Sequence, residues 1–356
     1  MRKSGAPSLL ISLFVLCGVL LSACGGSTPS TNTNGGGSTT APKSVTLVTD
    51  IGGLNDQSFN QSANVGYMKA QGELKFRRQV IESKSQNDYV SNLTRAAQTS
   101  DMVIGVGFLM ATAMDQVAKA NPTKSFALID SCATDAKGNC DSLKNVAPLF
   151  FKEQQAGCLA GVVAGQMEKL GKAKSSKLLG NNTIAAIGGL AIPPVDHYIA
   201  GYQYCAKKVD PAVTVKVNYS QSFDNTAKCQ DIANNQISTA KADVIFQVAG
   251  GCGVGALQAA KAKGVYSIGV DSDQSHVNDS VIASAIKRVD QAVYLTVKDF
   301  EAGKFSATPA PFDLTNDGVG LAGLSATVPA EVKPVVDKYI ADIKSGAITV
   351  PDAVQK

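Results

Sequence analysis

Two groups of residues in this 356-residue chain have the types and spacing to do chemistry. The first is Gly251-Cys252-Gly253-Val254-Gly255-Ala256, with Asp271 lying 20 residues beyond Gly251. A Gly-x-Gly-x-x-Ala turn between a strand and a helix can cradle a pyrophosphate, and an acid at that distance can hold a ribose hydroxyl. On spacing alone it would be a nicotinamide-dinucleotide site. The second group is six cysteines: Cys132, Cys140, Cys158, Cys205, Cys229 and Cys252. Thiolates that bind zinc come in Cys-x-x-Cys pairs, and there is none here. His197 and His276 are the only histidines, and nothing in the sequence clusters around them. No metal is therefore expected. No serine is flanked by a recognisable base and no carboxylate pair stands out as acid and base, so no catalytic residue is nominated.

The amino terminus decides between these chemistries. Met1-Arg2-Lys3 leads into an apolar run from Leu9 to Leu21, and Leu21-Ser22-Ala23-Cys24 follows. A charged start, an apolar segment too short to span a bilayer and small residues at a cleavage point make a secretory signal. A cysteine directly after Leu-Ser-Ala looks like a bacterial lipobox, which implies a signal peptide over 1–23 and diacylation of the Cys24 thiol. The alternative is an ordinary signal peptide with a chance cysteine. One acylated cysteine tethers a soluble body to a membrane surface, so the expected location is extracytoplasmic, at the cell membrane or the periplasmic face. Residues 25–42 are nearly all Gly, Ser, Thr, Asn and Pro, and 24–43 reads as the lipidated cysteine and a flexible linker. Export bears on both groups. An even number of cysteines in an oxidising compartment suggests three disulfides. A nicotinamide cofactor is scarce there, so no cofactor is expected, and the glycines read as places where backbone approaches a ligand closely.

About 313 residues remain, enough for two domains of ordinary size. Apolar residues make up 44% of the chain, so a sizeable core is feasible. No later stretch approaches 18 consecutive apolar residues, and no further membrane span is expected. The net charge is +4 with acids and bases interspersed. Without a basic run interleaved with aromatics, nucleic acid is not the expected partner.

Strand and helix signals alternate through the body. β-rich runs include Val45–Thr49, Phe76–Ile81, Met102–Val106, Ser125–Ile129, Thr183–Ile187, Val213–Tyr219, Asp243–Val248 and Tyr266–Val270. Helical patterns lie between them at Gln57–Ala70, Tyr89–Thr99, Ala111–Ala120, Gln154–Met167, Val195–Lys208, Thr226–Thr239 and Val254–Lys263. That alternation predicts βαβ units and parallel sheets. It restarts at Thr183, so the expected fold class is α/β with two doubly wound lobes joined by a hinge. Lobe I is predicted over 44–149 plus about 275–310, and lobe II over 150–274 plus about 311–356. Ligands of open parallel sheets sit beyond the carboxyl ends of the strands, so two facing lobes make a cleft that can close on a small molecule.

Several segments are more specific. Asp56-Gln57-Ser58-Phe59-Asn60-Gln61-Ser62 follows the first strand, and Phe151-Lys152-Glu153-Gln154-Gln155-Ala156-Gly157 sits mid-chain. Then come the run from Ala242 to Gly251, Ile268-Gly269-Val270-Asp271-Ser272-Asp273-Gln274 and Lys287-Arg288-Val289-Asp290. In this order they resemble the basic membrane protein family of ABC-transporter substrate-binding lipoproteins, which includes purine nucleoside receptors of the PnrA type. The resemblance runs from Val45 to about Gly346 and implies the type I periplasmic-binding-protein fold.

The site residues are weighed with it. Phe59 at a helix start and Phe246 inside an apolar strand would each be core residues on their own. The resemblance implies that they sandwich a nucleobase, and aromatic stacking is worth about 1–3 kcal/mol per base. Asp130, ending the strand Ser125–Ile129, could be a simple turn residue. The resemblance makes it the reader of the base edge, where a carboxylate accepts from N1–H of a 6-oxopurine more readily than it meets adenine N1. Asp50, Asp271 and Lys287 would otherwise be solvated charges, and the resemblance implies hydrogen bonds to ribose hydroxyls. Ser58 and Gly251 are implied lining residues. Gln57 stands where many family members carry Lys.

Six cysteines allow fifteen pairings. In doubly wound lobes the helices at Thr226 and Val254 share a face, which favours Cys229–Cys252 there, Cys158–Cys205 on the opposite face and a local Cys132–Cys140 loop. Taken together, the resemblance implies a monomeric, lipid-anchored binder. It would capture a nucleoside, such as guanosine or inosine, for an ABC permease and its ATPase. Three alternatives stay open: a secreted nucleoside-processing enzyme, a receptor without a transport partner, and a binder of a sugar or furanosyl signal.

Overall fold

The computed structural model describes residues 41–355. The expected signal peptide, Cys24 and most of the expected linker lie outside the described residues. Lys43, the last linker position, is anchored in the body: its Nζ donates to the carbonyls of Phe300 (2.8 Å) and Glu301 (3.1 Å).

The first series is β1 (Ser44–Thr49), α1 (Phe59–Leu74), β2 (Arg77–Glu82), α2 (Tyr89–Thr99), β3 (Met102–Gly105), α3 (Ala111–Ala120), β4 (Ser125–Ile129) and β5 (Val146–Leu149). The second is α4 (Glu153–Leu170), β6 (Thr183–Gly188), α5 (Pro193–Val209), β7 (Thr214–Tyr219), α6 (Thr226–Ser238), β8 (Val244–Val248), α7 (Gly250–Lys263), β9 (Tyr266–Asp271) and β10 (Val281–Lys287). The chain closes with α8 (Val289–Glu301), β11 (Val319–Ala322) and α9 (Val332–Lys344).

The strands form two sheets. One has five strands in the order β2-β1-β3-β4-β5, the other six in the order β11-β10-β9-β8-β6-β7. All neighbours pair in parallel except β10 with β11. Composition explains the order. All six residues of β1 are buried, as a parallel strand covered on both faces must be. β7, at an edge, alternates exposed and half-buried residues and places Lys216 and Asn218 in its run, which suits an edge that must not recruit another strand.

Helices cover both faces of each sheet. Small residues let α4 and α5 touch: a Cβ on Gly157 would stand 2.0 Å from the Tyr198 carbonyl oxygen, and one on Gly201 2.0 Å from that of Gln154. The disulfides are Cys158–Cys205 between α4 and α5, Cys229–Cys252 between α6 and α7, and Cys132–Cys140 across the loop after β4. They follow the pairing favoured from the sequence. Beneath the second sheet, Glu168 of α4 lies beside Asp243 and close to Tyr202 of α5. Glu168 Oε1, Asp243 Oδ1 and the Tyr202 hydroxyl are buried and lack a hydrogen-bond partner among the described residues. Burial beside Asp243 raises the Glu168 carboxyl to about 10, so at neutral pH Glu168 keeps its proton and can donate to Asp243.

One boundary differs from the expectation. Segment 275–310 was expected in the first lobe, but β10 pairs with β9 over Val281–Ile286 and belongs to the second sheet. Its run Val281-Ile282-Ala283-Ser284-Ala285 is fully buried, and only a central strand position covers both of its faces. α8 does pack against α1. The chain thus passes between lobes after β5, after β10 and before β11. Two of these crossings run side by side, with Lys152 N donating to the Phe312 carbonyl (2.9 Å) and Phe312 N to that of Phe150 (2.9 Å).

Candidate functional site

The strands deliver their last residues to one place. Asp50 follows β1, Asp130 follows β4, Asp271 ends β9 and Lys287 ends β10. These four, with Phe59 of α1, line a single cavity between the lobes. The cavity encloses about 600 Å³ of atom-free space, counting its open mouth. Asp130 and Asp271 take φ of 71° and 63°, the left-handed region in which Asp is among the more tolerant residues. That turn swings each carboxylate off its strand's line and into the gap.

Lys287 is the electrostatic centre. Its side chain is 2% exposed, with Nζ 2.6 Å from Asp130 Oδ1 and 2.8 Å from Glu153 Oε1. The contact to Asp130 is an ion pair whose angles fall outside hydrogen-bond geometry, since Oδ1 has no hydrogen-bond partner among the described residues. The ammonium also stands 5.1 Å from the Phe59 ring centre and 4.9 Å from that of Phe151. Burial alone would favour the neutral amine, but Asp130, Glu153 and Asp271 raise its pKa. Burial likewise opposes ionisation of Glu153, yet Lys287 and His197 hold that carboxyl below its usual range. His197 Nδ1 lies 3.0 Å from Glu153 Oε2.

The other acids are less compensated. Burial pushes Asp130 up to about 7, with Lys287 pulling the other way. Asp50 is raised to about 6, again by burial, although its Oδ1 accepts from Gly52 N (2.9 Å) and Asn60 Nδ2 (2.7 Å). Burial also raises Asp271, whose Oδ2 accepts from Ser58 Oγ (2.5 Å) and whose Oδ1 accepts from the Tyr198 hydroxyl (3.3 Å). Three carboxyl groups, Asp130, Glu153 and Asp271, therefore act on one ammonium, and Asp50 adds another acid to the cavity wall. Such a wall is rich in acceptors and suits a solute that carries N–H and O–H donors.

Three nominated residues do not line this cavity. Ser58 is fully buried, and its Oγ donates to Asp271. Gly251 packs against Asp56 and the Phe223 carbonyl. Phe246 is a correction: it is fully buried, with its ring 5.0 Å from Tyr202 and 6.2 Å from Tyr198 in the core. Strand geometry explains it. Residues two apart share a face, and on β8 the later residue, Val248, reaches the cavity while Phe246 sits one step deeper. The ring surface comes instead from Phe108 and Phe223. Phe223, in the loop after β7, fits because Gly189 has no side chain: a Cβ there would fall 2.2 Å from its ring.

The glycine fingerprint has another use as well. A Cβ on Gly253 would meet the Gln247 side chain at 1.7 Å, and one on Gly255 the Thr226 carbonyl at 2.0 Å. Gly253 and Gly255 thus serve packing around α7, not a ligand. Glu153, His197 and Tyr198 are not among the nominated residues, although Glu153 lies within the specific segment from Phe151 to Gly157. His197 joins Glu153 across 44 positions, which no local reading of the sequence brings together.

Comparison with known proteins agrees with this architecture. A family model described as "ABC transporter substrate-binding protein PnrA-like" matches residues 43–353. The chain is 33% identical over 329 positions to the ABC transporter nucleoside-binding protein BmpA of Lactococcus lactis, covering 86% of this chain and 88% of that one. It is 31% identical to the CD4+ T-cell-stimulating antigen of Listeria innocua, covering 98% of this chain and 99% of that one. Among solved structures, an ABC transporter solute-binding protein of Aeropyrum pernix K1 superposes with a TM-score of 0.75 at 28% identity, covering 87% of this chain and 94% of that one. The fold is the two-lobed α/β fold of periplasmic binding proteins, and the family consists of binders that serve a permease and its ATPase, not of enzymes. The chain belongs to the Bmp family, the PnrA-like ABC transporter substrate-binding proteins.

Proposed function

We propose that the cleft captures a purine nucleoside, with 6-oxopurines such as guanosine and inosine preferred, and hands it to the permease. The observation that carries this reading is the convergence of Phe59, Asp50, Asp130, Asp271 and Lys287 on one cavity. Phe59, helped by Phe108 and Phe223, offers flat apolar surface to a base. Asp130 offers an acceptor to its N1–H edge. Asp50, Asp271 and Lys287 offer the mixed acceptors and donor that vicinal hydroxyls need. Each such polar group is left unpaired by a ligand that lacks its partner, which is where specificity arises. The name of the Lactococcus relative supports the same class of ligand. Binding breaks no bond, and the lobes enclose the solute by hinge motion.

Cys24 is the proposed lipidation site, which would hold the body at the outer face of a membrane as a monomer. Calorimetric titration with guanosine, inosine, adenosine, 2′-deoxyguanosine, guanine, guanosine monophosphate, ribose and common hexoses tests the ligand. Guanosine and inosine are expected to bind tightest, and the monophosphate weakly because its charge meets a cavity rich in carboxylates. Binding of a hexose with no binding of any nucleoside overturns the reading.

A further inference from the structure

The loop ahead of α1 reaches across the cleft. Asp56 fixes its shape: Oδ1 accepts from the backbone N–H groups of Ser58 (3.0 Å) and Gln61 (3.1 Å), and Oδ2 from those of the Asn60 backbone (2.8 Å) and side chain (3.0 Å). Gln57, inside this turn, takes φ of 54°, a left-handed conformation uncommon outside glycine. Its carbonyl is thereby presented to the second lobe. Two side chains there donate to it, Ser272 Oγ at 3.1 Å and Gln274 Nε2 at 3.0 Å.

The grip is built, not incidental. Gln274 is fully buried. Its Oε1 accepts from Val270 N (3.0 Å) and Gln247 Nε2 (2.6 Å), and its own backbone N–H donates to Ser284 Oγ (3.1 Å). Every rotor that could turn its amide away is engaged. Neither Ser272 nor Gln274 lines the ligand cavity.

We propose that Ser272 and Gln274 latch the lobes together through the Gln57 carbonyl, as positioning residues that set how long a captured solute stays and not which solute is chosen. This rests on the reading of the cleft as a capture site. The physical argument is one of states. Hydrogen bonds that exist only with the lobes together stabilise only the closed form, and such bonds shift an equilibrium by their difference between the two states. Losing one lets the lobes part sooner, while encounter with the open cleft is unchanged. The dissociation rate then rises by one factor for every ligand. The Gln57 side chain takes no part in these two bonds, so a change of residue type there is tolerated as long as the turn survives.

The test uses Ser272→Ala, with Ser272→Thr as the variant that restores a hydroxyl, and Gln274→Glu. The last keeps the oxygen that accepts from Val270 and Gln247 and removes the amide facing Gln57. Stopped-flow binding of guanosine and of inosine gives association and dissociation rates. Small-angle scattering gives the lobe opening of the free protein, and a thermal melt checks folding. Ser272→Ala is expected to raise the dissociation rate about threefold to tenfold for both ligands, with association within twofold, a larger radius of gyration and recovery in Ser272→Thr. Unchanged dissociation, or a change that differs between the two ligands, overturns the latch. If the parent binds no nucleoside, the functional reading fails on its own. The latch is then judged by scattering alone, and an unchanged radius of gyration in both Ser272→Ala and Gln274→Glu overturns it.

Discussion

Replacing Glu168 by Gln should make this protein more stable, and increasingly so as pH rises. The residue is 8% exposed, and its carboxyl is raised from the ordinary 4.5 to about 10 by burial beside Asp243. In the unfolded chain it loses its proton near 4.5, whereas in the folded protein it keeps it. An acid raised in this way contributes its full stability below the unfolded value and loses it progressively as pH climbs toward the folded one. At pH 7 the gap from 4.5 amounts to about 3 kcal/mol at 1.36 kcal/mol per pH unit. Discounting for incomplete burial leaves on the order of 2 kcal/mol. A Gln side chain has the same shape, can donate to Asp243 and does not titrate. Thermal unfolding of both proteins from pH 4 to pH 9 checks this. The curves should meet near pH 4, and the variant should melt a few degrees higher at pH 7 and further above at pH 9. Parallel curves across that range, or a variant less stable at pH 8, would refute the raised Glu168 carboxyl.

The two phenylalanines nominated from sequence should now separate. Phe59→Ala is expected to weaken nucleoside binding by about fivefold to 150-fold at nearly unchanged melting temperature, since one stacking face is worth about 1–3 kcal/mol. Phe246→Ala should instead cost about 3–5 kcal/mol of stability by opening a core cavity, read by urea unfolding. Equal behaviour of the two would contradict their placement. Base selectivity should follow pH, because Asp130 titrates near 7. Ionised, it accepts from guanosine N1–H, and protonated, it donates to adenosine N1. The affinity ratio of guanosine to adenosine should therefore rise from pH 5.5 to pH 8.5 in calorimetry, and a flat ratio counts against that contact. The Cys158–Cys205 bridge, 47 residues apart, should contribute about 4 kcal/mol by loop closure. The paired Cys→Ala variant, unfolded in urea, checks it.

Local pattern and global position were unequally legible in the sequence. The strands that end in Asp50, Asp130 and Asp271 were readable because parallel strands are short apolar runs, and the residue that ends such a run is carried to the cleft. Phe246 went wrong at the next level of detail. Its strand was identified, but which of two same-face residues reaches the mouth depends on how far the strand extends toward it. Phe223 was invisible because its loop has no period, and its placement depends on Gly189 in the loop after β6. β10 was assigned to the wrong lobe because an apolar strand does not announce its partner. Glu153 and His197 acquire their roles only when α4 and α5 pack, and the six cysteines were legible because helix order constrains them.

Lys43 grips the end of α8, and β1 begins at the next residue. β1 runs six residues to the edge of the cavity at Asp50, a climb of about 20 Å at 3.3 Å per residue. Lys43 is thus held at the foot of the sheet, and the mouth of the cleft opens from its other end.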